Sequence, residues 1–190
     1  MRSNPQRRVA LLDAAIDVLA GQGARRLTFR AVDTAAGVPI GTTSNYFANR
    51  AALLTQAAAH VHVRLAPATD TMAALVAAPP TRDTVRRAMR DLFDRVRADR
   101  ASYLALLELR LEATRREEVR QVLAEVVGSN IRDSIEFHVD GGYPGGQEAV
   151  TALYLAMSGL LVEHLTLPEL WPEADMPALI DQLTERIVPD

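Results

Sequence analysis

TFRAVDTAAGVPIGTTSNYFANRAALL, running from Thr28 to Leu54, packs three short helical signals around two glycine-containing turns. Phe29, Val32 and Ala36 stand at i, i+3 and i+7 and form one apolar helix face, and Thr28 precedes them as an N-cap whose hydroxyl can accept a backbone N–H. Gly37 is placed to end that helix as its C′ residue. Pro39 has a fixed φ and no N–H, so it fits only the first turn of a following helix, and Ala36–Gly37–Val38 must be a tight link. A helix, a short turn with Gly and a second helix, expected over Ile40 to Phe47, make a helix-turn-helix pattern.

The second helix carries Thr42, Thr43, Ser44 and Asn45 in a row, with no charge and no large aliphatic side chain among them. That is poor material for a core. Small hydroxyls and an amide instead suit a helix lying in a DNA major groove, where they reach base edges, thymine methyls and phosphates without bulk. Tyr46 and Arg50 follow, and with Thr28 they are expected to grip the flanking phosphates.

The charge distribution agrees with a DNA-binding head. The 190-residue chain has a net charge of −3, yet residues 1–50 carry seven arginines against three aspartates, a net +4, while residues 51–190 carry 14 arginines against 21 acids. The absence of cysteine excludes disulfides, thiolate zinc sites and cysteine nucleophiles, and suits a cytoplasmic protein. The longest apolar run, Ala149 to Val162, spans 14 uncharged residues interrupted by Thr151, Tyr154 and Ser158, which reads as too short and too polar for a membrane span.

Helical periodicity extends through the rest of the chain. A first helix, Arg7 to Gly21, presents Val9, Leu12, Ile16 and Leu19 and is expected to cover the helix-turn-helix pair. Arg50 to Leu65 follows the recognition segment directly, and Ala66 to Ala78 reads as a weak helix or a loop. Arg82 to Arg100 is amphipathic, with helix-spaced pairs Asp83–Arg87, Arg90–Asp94 and Asp91–Arg95. Helices are then expected over Ser102 to Thr114, Glu117 to Val139, Gln147 to Leu167 and Pro177 to Val188, with Asp140 to Gly146 as a glycine-rich connector. Glu108 and Glu112 lie one turn apart, but no nucleophile or base orienter surrounds them, so no catalytic site is expected. His60 and His62 point to different faces, and neither a metal site nor a cofactor is expected.

Arg8 to Leu54 resembles the DNA-binding domain of TetR-family transcriptional regulators. The likeness runs through Ala14–Ala15, Gly23, Leu27–Thr28, Ala35–Ala36–Gly37–Val38, Gly41, Phe47, Arg50 and Leu53–Leu54. Ser44 stands where the family usually has Tyr, Tyr46 where it often has His, Arg50 replaces Lys and Pro39 a capping Ser. The resemblance implies an all-α chain of about nine helices: a three-helix DNA-binding domain over residues 1–50, then a helical ligand-binding and dimerisation bundle over 51–190. It further implies a homodimer formed by the last two helices, a double-stranded DNA operator, no membrane, and a small-molecule effector that releases a repressor. Met89, Phe93, Tyr103, Leu107, Leu111, Phe137 and Tyr154 are the candidate pocket residues, each of which also suits plain core. The competing expectation is an all-helical small-molecule-binding or interaction module without specific DNA recognition.

Overall fold

The computed structural model describes residues 4–190, so Arg2, one of the seven arginines of the basic head, lies outside the described residues. The described chain holds nine α-helices and no strand: α1 Pro5–Gln22, α2 Phe29–Ala35, α3 Arg50–Leu65, α4 Thr69–Ala77, α5 Arg82–Ala98, α6 Arg100–Ala113, α7 Glu117–Asp140, α8 Gly146–Thr166 and α9 Met176–Ile187. Single 3-10 turns occupy Ala24–Arg26, Thr43–Asn45 and Glu173–Asp175. The all-helical expectation therefore holds, and residues 66–78, weakly helical by sequence, contain α4.

The expected second helix of the helix-turn-helix pair does not form over Ile40 to Phe47; its place is taken by turns and the 3-10 turn Thr43–Asn45. Gly41 has a φ of 94°, a value foreign to a right-handed helix. Three side chains also bond to the local backbone: the Thr42 hydroxyl donates to the Pro39 carbonyl at 2.6 Å, and the Ser44 hydroxyl and Asn45 amide donate to the Gly41 carbonyl at 2.7 and 3.1 Å. Such bonds compete with the helical ladder, which is why Thr, Ser and Asn are weak helix formers.

Two compact units emerge: Met1–Ala66 with Asp99–Val127, and Pro67–Ala98 with Gly128–Asp190. The first is thus larger than the expected head of residues 1–50, because α1 packs against α6 as well as α2 and α3. Leu11, Ile16 and Leu19 of α1, Leu27 of the link before α2, Leu53 and Leu54 of α3, and Leu109 of α6 are fully buried in one core. Each such side chain contributes about 1.5–3 kcal/mol, which the seven-residue α2 could not supply alone. Asp99 caps α6 through the Ser102 N–H at 3.2 Å and receives Arg64 of α3 in a two-point pair at 2.8 and 3.0 Å.

In the second unit α5 and α8 both pack against α9. The Tyr143 hydroxyl donates to the Leu75 carbonyl at 3.1 Å, fixing the glycine-rich connector to the end of α4. Of the expected pairs along α5, Asp83–Arg87 forms at 3.2 Å and Asp91–Arg95 also forms, while Arg90 turns instead to Asp181 of α9. By length and composition α8 is apolar enough to cross a membrane, contrary to the reading of its 14-residue run. Its inner face, Leu153, Met157, Leu161 and Leu165, is buried in the unit, whereas Leu155 is 64% exposed. That is a bundle helix with a second apolar face turned outward.

His62 on α3 has its Nε2 buried without a hydrogen bond. Burial, and then the Arg110 guanidinium, lower its pKa below 6.5. The unfolded chain therefore binds a proton that the folded chain resists, and stability falls as pH drops below 6.5 and is retained above it. Burial acts to raise the Asp99 carboxyl, but its bonds from Ser102 and Arg64 hold it below 3.8, so its contribution is lost at still lower pH. Urea midpoints measured across pH 5.5 to 7.5 should decline toward acid, and His62→Gln should flatten that decline. An unchanged slope in the variant would contradict the burial assigned to this imidazole.

Candidate nucleic-acid interface

The helix-turn-helix begins with Thr28, whose exposed Oγ1 accepts the Ala31 N–H at 3.1 Å and caps α2. Gly37, with a φ of 62°, ends α2 as expected. Beneath the turn lies Asp33, fully buried on α2. Its carboxylate accepts the Gly41 N–H at 2.7 Å, the Thr43 N–H at 2.7 Å and the Thr43 hydroxyl at 2.5 Å. A buried charge is tolerable only when it is fully bonded in this way. The three bonds give a segment without a regular helical ladder a fixed shape.

This geometry divides the expected contact residues. Ser44 and Asn45 are exposed, and Thr42 is half-buried. Thr43, expected to read a base, is instead fully buried with its hydroxyl on Asp33, so it serves the clamp and is out of reach of DNA. Tyr46 is half-buried against the core, and its carbonyl accepts from Arg8 of α1 at 3.0 Å. Arg8 also stacks its guanidinium 4.9 Å from the centre of the Phe47 ring, which gives it a packing role.

Arg50, expected on a phosphate, donates through Nε to the Leu27 carbonyl at 2.9 Å and through Nη2 to the Ala24 carbonyl. A cation at the first position of α3 opposes the helix dipole, and the two carbonyls offset that cost. Glu108 of α6 accepts the Ala24 N–H at 3.0 Å from the other side. The Glu108–Glu112 pair is thus structural, with Glu112 bonded to Arg116 at 2.9 Å. Four arginines of the head, Arg7, Arg25, Arg26 and Arg30, are exposed and enter no ion pair among the described residues. Their signal in the sequence is the pair Arg25–Arg26 two residues ahead of the Thr28 cap.

Of the candidate pocket residues, Tyr103, Leu107 and Leu111 belong to the first unit, where Leu111 is 54% exposed. Met89, Phe93, Phe137 and Tyr154 belong to the second. There Met89 packs against the core cluster that includes Val85 and Leu153, Phe93 meets the His164 ring at 4.9 Å, and Phe137 lies on the surface near Tyr143.

Residues 11–57 match the family model of bacterial regulatory proteins of the tetR family, and residues 80–190 match the tetracyclin repressor-like C-terminal domain. The chain belongs to the TetR family. Among solved structures it is similar to a TetR-family member from Streptomyces coelicolor A3, with 24% identity over 98% of this chain and 100% of that one and a TM-score of 0.73. FadR from Bacillus subtilis in complex with stearoyl-CoA gives 18% identity, 95% and 97% coverage and a TM-score of 0.74. The multidrug binding protein EbrR complexed with ethidium gives 26%, 97% and 99%, and 0.66. No match was found among curated proteins. As a TetR-family protein the chain is a DNA-binding transcriptional regulator and not an enzyme.

Asp33→Ala would strand two backbone N–H groups and a hydroxyl, so it should lower the urea-unfolding free energy by about 3 kcal/mol. Asp33→Asn, which keeps one acceptor, should cost less. Equal stability of Asp33→Ala and wild type would contradict the clamp.

Proposed function

We propose that this TetR-family regulator is a homodimeric repressor that leaves a roughly palindromic operator when a small molecule binds its body. The division of labour places DNA contact in residues 1–50 and ligand binding and dimerisation in 51–190. The observation that carries the reading is a braced, exposed polar segment, Ser44 and Asn45 above Asp33, in the same head as exposed arginines that enter no ion pair among the described residues. Ser44, Asn45 and Thr42 contact base edges. Arg25, Arg26, Arg30, Thr28 and the Tyr46 phenol contact phosphates. Two copies related by a two-fold axis would present two such segments to two half-sites.

The outward apolar face of α8 supports the dimer, since an exposed stripe holding Leu155 and flanked by the small residues Ala152, Ala156 and Gly159 favours close packing on a second helix. A small-molecule effector is supported by the ethidium and stearoyl-CoA complexes of the structural relatives. Within the second unit, Met89, Phe93, Phe137 and Tyr154 remain the proposed pocket residues. The ligand must prefer one of two arrangements of the dimer to change operator affinity. The protein would act in the cytoplasm, where its operator lies.

Operator affinity measured by fluorescence anisotropy over a salt series should fall steeply with salt, and Arg25→Ala, Arg26→Ala and Arg30→Ala should each reduce the slope of log K against log salt by about two, one for each half-site. Equal affinity of the wild type for the operator and for random duplex would overturn the proposal. Sedimentation should show a dimer that Leu155→Arg converts to monomer; a monomeric wild type would contradict the two-half-site arrangement.

A further inference from the structure

The exposed groups of the recognition segment have a chemistry narrower than DNA binding in general. From Pro39 to Asn49 the chain carries no Lys, Arg or His. Arg50, the next residue, has its guanidinium committed to the Ala24 and Leu27 carbonyls. Guanine is most often read by an Arg or Lys donating to its O6 and N7, and no such donor stands in this segment. Asn45 is exposed, and one of its amide hydrogens is used on the Gly41 carbonyl at 3.1 Å. One N–H and the Oδ1 acceptor remain for a ligand. One donor beside one acceptor is the complement of adenine, which offers the N7 acceptor beside the N6 donor. Guanine would set its O6 acceptor against Oδ1, and cytosine offers a donor alone.

The second group is Ile40, 60% exposed between Pro39 and Gly41. Ser44 and Asn45 are both drawn to the Gly41 carbonyl, so Ile40 borders the same exposed patch, and the Asp33 clamp on the Gly41 N–H fixes the backbone just after it. In a major groove the apolar feature that such a side chain can cover is the thymine C5-methyl.

We infer that the recognition segment reads A·T base pairs, with Asn45 on an adenine edge and Ile40 on a thymine methyl. The inference rests on the proposed DNA-binding role of this segment and deepens it by naming the base pairs it reads. Ser44 adds a hydroxyl that tolerates either base pair.

The test uses the full-length chain. Duplexes are selected from a random pool, and the enriched half-site is resynthesised with uracil for thymine, which removes only the methyl, or with 7-deazaadenine for adenine, which removes only the N7 acceptor. Loss of the methyl should weaken wild-type binding about four-fold, the worth of one buried methyl-sized group, and should leave Ile40→Ala unaffected. Loss of N7 should weaken the wild type about five-fold or more and leave Asn45→Ala unaffected. Both variants should keep the wild-type urea midpoint, since both side chains are exposed. Enriched half-sites without a shared A·T pair, or equal losses in wild type and variant, overturn the inference while leaving DNA binding in place. A pool that yields no preferred sequence overturns the DNA-reading proposal together with it.

Discussion

The head depends on one buried carboxylate. Asp33 has no exposure to solvent and takes three donors from a segment that starts eight residues later. That segment is too rich in Thr, Ser, Asn and Gly to hold a helix by propensity, and its Gly41 departs from helical geometry. Shape therefore comes from below, through an ionic hydrogen-bond cluster, and not from the backbone ladder. The surface above is left with small polar side chains and one isoleucine, whose positions follow from where Asp33 holds residues 41 and 43.

A second set of polar contacts surrounds the first. The turn Ala24–Arg26 is held by Glu108 of α6 through the Ala24 N–H and by Arg50 of α3 through the Ala24 carbonyl. The end of the recognition segment is held by Arg8 of α1 through the Tyr46 carbonyl. A helix outside the first fifty residues thus contributes a side chain to the same compact unit as the recognition segment, and α6 shares the core of α1 and α3 through Ala105, Leu106 and Leu109. A shift of α6 within that unit would act on the turn that carries Arg25 and Arg26.

Most of the helices were legible because apolar periodicity reports which face is buried, and the turn at Gly37 because few residues but glycine take a positive φ. What composition concealed was the fate of individual polar residues. Thr42, Thr43, Ser44 and Asn45 look alike in a string, yet only Thr43 points inward, and nothing local distinguishes it from its neighbours. A signal existed at a distance: Asp33 follows Val32 inside an apolar stretch, and a carboxylate there requires donors from beyond its own helix. Arg50 carried a similar signal, being a cation at a helix start where the dipole disfavours it, so that nearby carbonyls were its expected partners. The reach of α6 into the head was not legible, because Glu108 and Ala24 are 84 residues apart and no pattern links them.

Amide hydrogen exchange at Gly41 and Thr43 examines the central constraint most directly. Both residues lie in turns, where amides normally exchange fast, yet both N–H groups are bonded to a buried carboxylate. Slow exchange at both, approaching the rate of global unfolding, with selective loss of protection in Asp33→Asn, is the expected result. Exchange at Gly41 and Thr43 as fast as at Ser44 in the wild type would contradict it, and the exposed surface above Asp33 would then have no fixed shape.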